Sequence, residues 1–416
     1  MRWRKGTTMG SLLISDVTSL DGGEPTHIYV EDGLIVELDH KVEADHTIDG
    51  KGHVALPGMV NAHTHAAMVL LRGYGDDMLL NEWLADRIWP VEAKLTPDDV
   101  YWGTRLACLE MIRTGTTAFS DMYFFGPRMA DAAHDAGLRA LVCEGFVDLG
   151  DEEKREANIA ATEATTRHIR QMGDPRVVPA VGPHAVYTVS PQGWEWVRDY
   201  STEEDVLIHT HLSETAVEVE DCQRSNGVSP LGHLEDLGVL ERPLVAAHCV
   251  HLSEADVELM AKRGAVAVHN PVSNMKLAVA GVGMALGTDG AASNNSLDMF
   301  ETMKIGALLQ KLGGDPTVLP AAEVLEAATL GGARALGLPG GRIVEGEAAD
   351  IVLVNVGRTG MQPVHNPVSN LVYAGAGAAV TTTICDGRVL MEDEVIEGER
   401  EVLAHATRVA KELVSR

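Results

Sequence analysis

The chain has 416 residues, 61 of them acidic and 33 basic, for a formal charge of −28 at neutral pH. Its 45% apolar and 23% charged residues are ordinary for a globular protein and exclude wholesale disorder. A field of this sign repels phosphate, which argues against nucleic-acid and anionic-membrane partners, and the length suits one large domain with a smaller companion.

The basic start, Met1 to Lys5, leads into an apolar stretch, Ser11 to Ile14, that Asp16 ends. That is too short for a secretion signal, and no stretch approaches the roughly 18 apolar residues of a membrane span. A cytoplasmic protein is expected. Short strands follow at Ser11–Val17, His27–Glu31 and Leu34–Leu38, with Asp32-Gly33 supplying hairpin-turn chemistry. The end of the chain repeats this texture at Ala349–Val356, Val380–Asp386 and Val389–Glu392, with Asp386-Gly387 at the turn, before an amphipathic helix over Glu399–Val414. Residues 1–57 and 346–416 are therefore expected to meet in one composite β-sandwich domain carrying that C-terminal helix.

Between them, residues 58–345 alternate short apolar runs with helical patterns. Eight runs stand out: Met59–His65, Thr116–Met122, Arg139–Phe146, Val177–His184, Val206–Leu212, Leu244–Cys249, Ala265–His269 and Met284–Asp289. The fold class expected is α/β, a (β/α)8 TIM-type barrel, with its chemistry at the C-terminal strand ends. Polar residues gather there: His63 and His65, His184, His211, His248, His269 and Asp289. One step is too short. Only Pro271 to Gly283 separate runs seven and eight, and a parallel crossover needs a dozen or more residues. Either the seventh helix is nearly absent or residues are missing there.

His63-Thr64-His65 puts two imidazoles at i and i+2, on one face of a strand, and imidazole suits a borderline divalent ion. Cys108, Cys143, Cys222, Cys249 and Cys385 form no CxxC pair, so neither a disulfide framework nor a cysteine zinc site is expected.

Several blocks in fixed order carry a resemblance: LPGMVNAHTH (56–65), LLRGYGDD (70–77), GPH (182–184), HLSET (211–215), AAHCVHL (246–252), HNPVSN (269–274) and GTDGAASNNSLD (287–298). Through them the chain resembles the amidohydrolase superfamily, specifically its 5′-methylthioadenosine/S-adenosylhomocysteine deaminase group. The resemblance implies His63, His65, His211 and Asp289 as ligands of one divalent metal ion, with zinc the default and iron or manganese the alternatives. A two-metal relative needs a carboxylated lysine where this chain has Gly182-Pro183-His184. His209 is read as a satisfied core histidine.

The same resemblance implies hydrolytic deamination of an adenosine-type nucleoside. Glu214 would shuttle a proton to the ring nitrogen, Asp289 would accept one from the attacking water, and His248 would hydrogen-bond that water and the tetrahedral intermediate. Glu92 would take the ribose hydroxyls and His184 would reach the purine, while His251 is read as structural. Homo-oligomers are usual in the family. Glu144 stands where homocysteine-accepting relatives carry an arginine, and is expected to repel a carboxylate, favouring 5′-methylthioadenosine, 5′-deoxyadenosine or adenosine over S-adenosylhomocysteine. Two other readings are an amidohydrolase acting on a free base or s-triazine, and a barrel that binds metal or nucleoside without turnover. Glu92 with His184 favours a nucleoside, and a mere binder has no use for Glu214.

Overall fold

The eight apolar runs form eight parallel strands in the computed structural model, which describes residues 10–75, 78, 80–274 and 283–416. They are Met59–Thr64, Thr116–Tyr123, Arg139–Phe146, Val177–Pro183, Ile208–Leu212, Leu244–His248, Val266–His269 and Met284–Leu286, each paired to the next in chain order. Helices over Pro97–Arg113, Gly126–Ala136, Glu152–Met172, Pro191–Glu203 and Glu254–Arg263 alternate with them. This is the expected barrel. The alternating faces divide the packing: Leu141, Cys143, Val245 and Val268 meet inside, while Phe146, Ile208, Leu244 and Ala246 pack outward with Trp194, Leu231 and Met260. Local signals start several helices, such as the capping boxes of Thr96 with Asp99 and Ser253 with Asp256.

The barrel's first and last strands meet differently from the others. The backbone N–H of Asp289 donates to the carbonyl of His63 at 3.0 Å. Asn61 Nδ2 donates to Thr288 Oγ1 at 2.7 Å, Thr288 N–H donates back to Asn61 Oδ1 at 3.0 Å, and Thr64 Oγ1 donates to the carbonyl of Asp289 at 2.9 Å. Gly287 permits this approach, because a Cβ there would lie 2.9 Å from both the N and O of His63 and 2.5 Å from Asn270 Oδ1.

The two ends of the chain build two four-stranded sheets. One takes Leu34–Leu38, Thr26–Glu31, Leu12–Val17 and His46–Asp49 in that order; the other takes Arg388–Met391, Val380–Cys385, Ile351–Asn355 and His53–Pro57. Their facing apolar residues, among them Ile14, Ile28, Ile35, Leu353 and Ile384, make a separate core, so the expected sandwich is present. Asp32-Gly33 and Asp386-Gly387 all have positive φ, the condition for tight hairpin turns that match strand twist. His46–Asp49 and His53–Pro57 are strands that the apolar pattern did not single out. Arg139 ties this unit to the barrel, donating from Nε to Asp350 and from Nη2 to Asp386, both at 2.8 Å. The C-terminal helix, Glu399–Ser415, buries Val402, Ala406, Val409 and Leu413, and His405 stacks on Trp102 at 4.1 Å between ring centroids.

All five cysteines are free and buried. Among the described residues no helix is long and apolar enough to cross a membrane. The short step between strands seven and eight falls largely on residues 275–282, outside the described residues, as does the end of the Leu70 block at Asp76 and Asp77.

Replacing Gly287 by alanine is expected to lower stability by about 1–3 kcal/mol, the usual range for forcing a group into a filled space. Urea denaturation of the metal-free protein reads this, and an unchanged midpoint would contradict the close approach.

Candidate metal centre and active site

His63 and His65, two residues apart at the end of the first strand, have ring centroids 4.9 Å apart. His211, at the end of the fifth strand, lies 4.9 Å from His63 and 5.3 Å from His65. The Oδ1 of Asp289 is 3.6 Å from His63 Nε2 and 3.4 Å from His65 Nε2. Donor atoms of His63, His65 and Asp289 lie within 4.8 Å of one another, as do those of His63, His211 and His248. All five sequence-singled residues therefore converge at the C-terminal end of the barrel.

The other nitrogen of each imidazole decides which one faces the centre. His65 Nδ1 lies 2.5 Å from the carbonyl of Met122, and His211 Nδ1 lies 2.8 Å from the carbonyl of His184. A carbonyl only accepts, so both Nδ1 atoms carry the proton and both Nε2 atoms keep a lone pair. Those two Nε2 atoms are 3.2 Å apart. His63 Nδ1 lies 3.0 Å from His209 Nε2, and His63 Nε2 is buried with no hydrogen-bond partner. Neutral imidazole lone pairs converging on each other and on a carboxylate suit a cation between them, so His63, His65, His211 and Asp289 could hold a divalent ion. Burial pushes His63 down to about 3, which keeps it neutral at ordinary pH. Burial alone would raise Asp289. The adjoining His63, His248 and His65 side chains instead hold its carboxyl far below the usual range.

His248 faces the same centre, 5.3 Å from His63 and 5.2 Å from His211 between ring centroids. Strand alternation alone would send it outward with Leu244 and Ala246. A left-handed backbone at His248 (φ 75°) and Cys249 (φ 52°) turns it in, a strained geometry of the kind that collects at functional sites. Its Nδ1 lies 2.5 Å from Asn274 Oδ1 and 3.6 Å from Glu214 Oε1, and Asn274 Nδ2 donates to the same Glu214 oxygen at 3.4 Å. Burial lowers His248, but the charges of Glu214 and Asp289 and the Asn274 bond outweigh it and leave it raised. The carboxylate of Glu218 accepts the backbone N–H groups of Ser213 and Glu214, both at 2.9 Å, and so fixes the loop that carries Glu214.

Glu92 approaches from the short helix Trp89–Glu92. Its Oε1 accepts a 2.6 Å bond from Tyr123, whose ring is 6.3 Å from His65, and burial raises its pKa. His184 lies tilted beside His211 at 4.7 Å between ring centroids, and its Nδ1 is hydrogen-bonded with Thr188 Oγ1 at 2.9 Å; burial pushes it down to about 4. Asn274, Glu218, Tyr123 and Ser120 escaped sequence reasoning. Asn274 alone carried a signal, as the last residue of the 269–274 block.

Glu144 does not face the mouth, contrary to the expectation from the resemblance. On its strand Leu141 and Cys143 face the interior, so Glu144 faces the helices. Its carboxylate accepts the N–H of Phe125 at 3.0 Å, the N–H of Gly126 at 2.5 Å and the hydroxyl of Thr165 at 2.9 Å, at the start of the helix Gly126–Ala136. It is not a free anion in the mouth, so repulsion by Glu144 is not what would disfavour a carboxylate there.

Comparison with known proteins follows the same lines. The amidohydrolase family model matches residues 54–390. The chain is 52% identical to a 5′-deoxyadenosine deaminase of Methanoregula boonei, covering 98% of this chain and 96% of that one. It is 47% identical to a 5-methylthioadenosine/S-adenosylhomocysteine deaminase of Desulforudis audaxviator, covering 93% and 94%. A zinc-bound adenosine deaminase crystal structure from Xanthomonas campestris superposes with a TM-score of 0.91 at 36% identity, covering 97% and 99%. The first of these alignments spans 425 positions, more than this chain's 416 residues, so that relative carries residues this chain lacks.

Glu144→Ala is expected to cost about 1–3 kcal/mol by leaving the buried N–H of Gly126 and the part-buried N–H of Phe125 unpaired at the helix start, with metal content unchanged. Chemical denaturation with a parallel metal assay checks both halves, and loss of metal at unchanged stability would place Glu144 in the site after all.

Proposed function

The chain belongs to the amidohydrolase family, and on that footing we propose that it is a metal-dependent hydrolytic deaminase of adenosine-type nucleosides, releasing ammonia and the inosine product. The observation that carries this reading is the set of three imidazoles whose Nδ1 atoms are engaged, with the Nε2 atoms of His63 and His65 facing Asp289 and that of His211 facing His65, beside Glu214 and His248. One zinc ion, held by His63, His65, His211 and Asp289, fits that donor set. When bound, the ion supplies Lewis acidity and hydroxide at neutral pH.

The remaining chemistry falls to the chain's own groups. Glu214 delivers a proton to the ring nitrogen and Asp289 takes one from the attacking water. The Oδ2 of Asp289 is steadied by a 3.2 Å bond from Ser293 Oγ. His248, fixed by Asn274, donates to the developing oxyanion, where preorganised donors act most strongly. Glu92 is held by Tyr123 through Oε1 and offers Oε2 to the vicinal ribose hydroxyls, selecting a nucleoside over a free base. His184 closes the purine side.

For the 5′ group, relatives of both named activities match along nearly the whole chain. The position where homocysteine-accepting relatives carry an arginine holds Glu144, whose carboxylate is used at a helix start, so a homocysteine carboxylate finds no cation there. Neutral 5′ groups, 5′-deoxyadenosine and 5′-methylthioadenosine first, are therefore the preferred substrates, with S-adenosylhomocysteine behind them.

Ammonia release by zinc-loaded protein, followed with the ultraviolet change of adenine to hypoxanthine, tests the reading on these substrates, guanine and a chlorotriazine. Turnover of the neutral adenosines with the homocysteine adduct poorer is expected; turnover of only a free base or triazine would overturn the nucleoside pocket. Glu214→Gln is expected to lower kcat by roughly 10²–10⁴-fold with zinc retained. Glu92→Gln is expected to raise KM about 10–100-fold with a smaller change in kcat, the scale of one charged hydrogen bond. An unchanged KM would remove Glu92 from the ribose site.

A further inference from the structure

His209 sits two residues before His211 on the fifth strand, fully buried, and no step of the proposed reaction uses it. Its Nε2 is 3.0 Å from His63 Nδ1 and its Nδ1 is 2.7 Å from Ser120 Oγ. His63 and Ser120 are equally buried, so water cannot substitute for either partner. The arrangement differs from that of the other two histidines. His65 and His211 lean on backbone carbonyls, which can only accept, so their tautomers are set by the main chain. His63 leans on a second imidazole, which can accept or donate.

Two neutral imidazoles meeting nitrogen to nitrogen at this distance share one proton. If it resides on His209, His63 must carry its own proton on Nε2, pointing into the centre. If it resides on His63 Nδ1, the Nε2 lone pair is free, and the proton of His209 lies on Nδ1, where Ser120 Oγ accepts it. Ser120 Oγ, 2.7 Å away, is placed to accept that proton and so completes this second state. We infer that Ser120 and His209 form a buried hydrogen-bond relay that fixes the tautomer and ring orientation of His63, making His209 a positioning residue for the metal centre. This rests on His63 being a ligand, as in the proposed function. Partners of this kind behind a ligating histidine typically change metal affinity 10–100-fold.

Glutamine can place an amide oxygen near the position of His209 Nε2 and accept the His63 proton, whereas leucine fills the volume and accepts nothing. Zinc affinity, measured by competition with a chromophoric chelator, is expected to fall about 10–100-fold in His209→Leu and to recover to within a few-fold of wild type in His209→Gln. Ser120→Ala, which removes only a hydroxyl from the interior, is expected to weaken zinc several-fold with an unchanged melting temperature for the metal-free protein, so the relay stays testable should His209→Leu fail to fold. Wild-type affinity in Ser120→Ala together with either wild-type affinity in His209→Leu or no recovery in His209→Gln overturns the relay. Wild-type affinity in Ser120→Ala also overturns it when His209→Leu does not fold. Absence of zinc binding by the wild-type protein overturns the ligand reading itself, a result distinct from the others.

Discussion

The site depends on the seam where the barrel's last strand returns to its first. There the N–H of Asp289 donates to the carbonyl of His63, and Asn61 locks Thr288 through two side-chain hydrogen bonds. A barrel has no free edge once this seam is closed, and the closure itself brings a carboxylate next to two imidazoles. Gly287 makes the approach sterically possible. Folding and site assembly are thus the same event: residues more than 200 positions apart become neighbours because the sheet closes on itself.

Burial then sorts the charges. His63 and His211 stay neutral because desolvation disfavours their protonated forms, while the neighbouring histidine side chains keep Asp289 ionised. Away from the centre the same burial raises Glu92 and Glu144, and each is compensated by a different set of donors. Tyr123 aims Glu92 at the site, whereas the first turn of a helix keeps Glu144 out of it. The half-buried Glu92 and the buried Glu144 are therefore distinguished only by their neighbours, the one turned toward the candidate site and the other capping a helix.

Much of this was legible in the sequence. Eight apolar runs marked the eight strands, histidines or an aspartate at or near several of their ends marked the candidate site, and Asp-Gly pairs marked two hairpins that the structure contains. The strand His46–Asp49 was not legible, because four residues with one buried apolar side chain leave no period to detect. Glu144 was misjudged because alignment gives its position and only the strand's alternation gives its direction. His248 shows the reverse: alternation would have sent it outward, and a left-handed backbone turns it to the centre. Ser120 acts through a hydrogen bond to a distant strand, which no local pattern encodes, and Asn274 was marked only as the end of the 269–274 block.

Three imidazoles presenting Nε2, beside one carboxylate, to a single ion are the arrangement that the proposed chemistry requires. X-ray absorption at the zinc edge of protein loaded with one equivalent tests it most directly. Three imidazole nitrogens at about 2.0–2.1 Å with oxygen completing the shell, and no metal–metal scattering, are expected. A shell with one imidazole or none, or a second metal within about 4 Å, would contradict it.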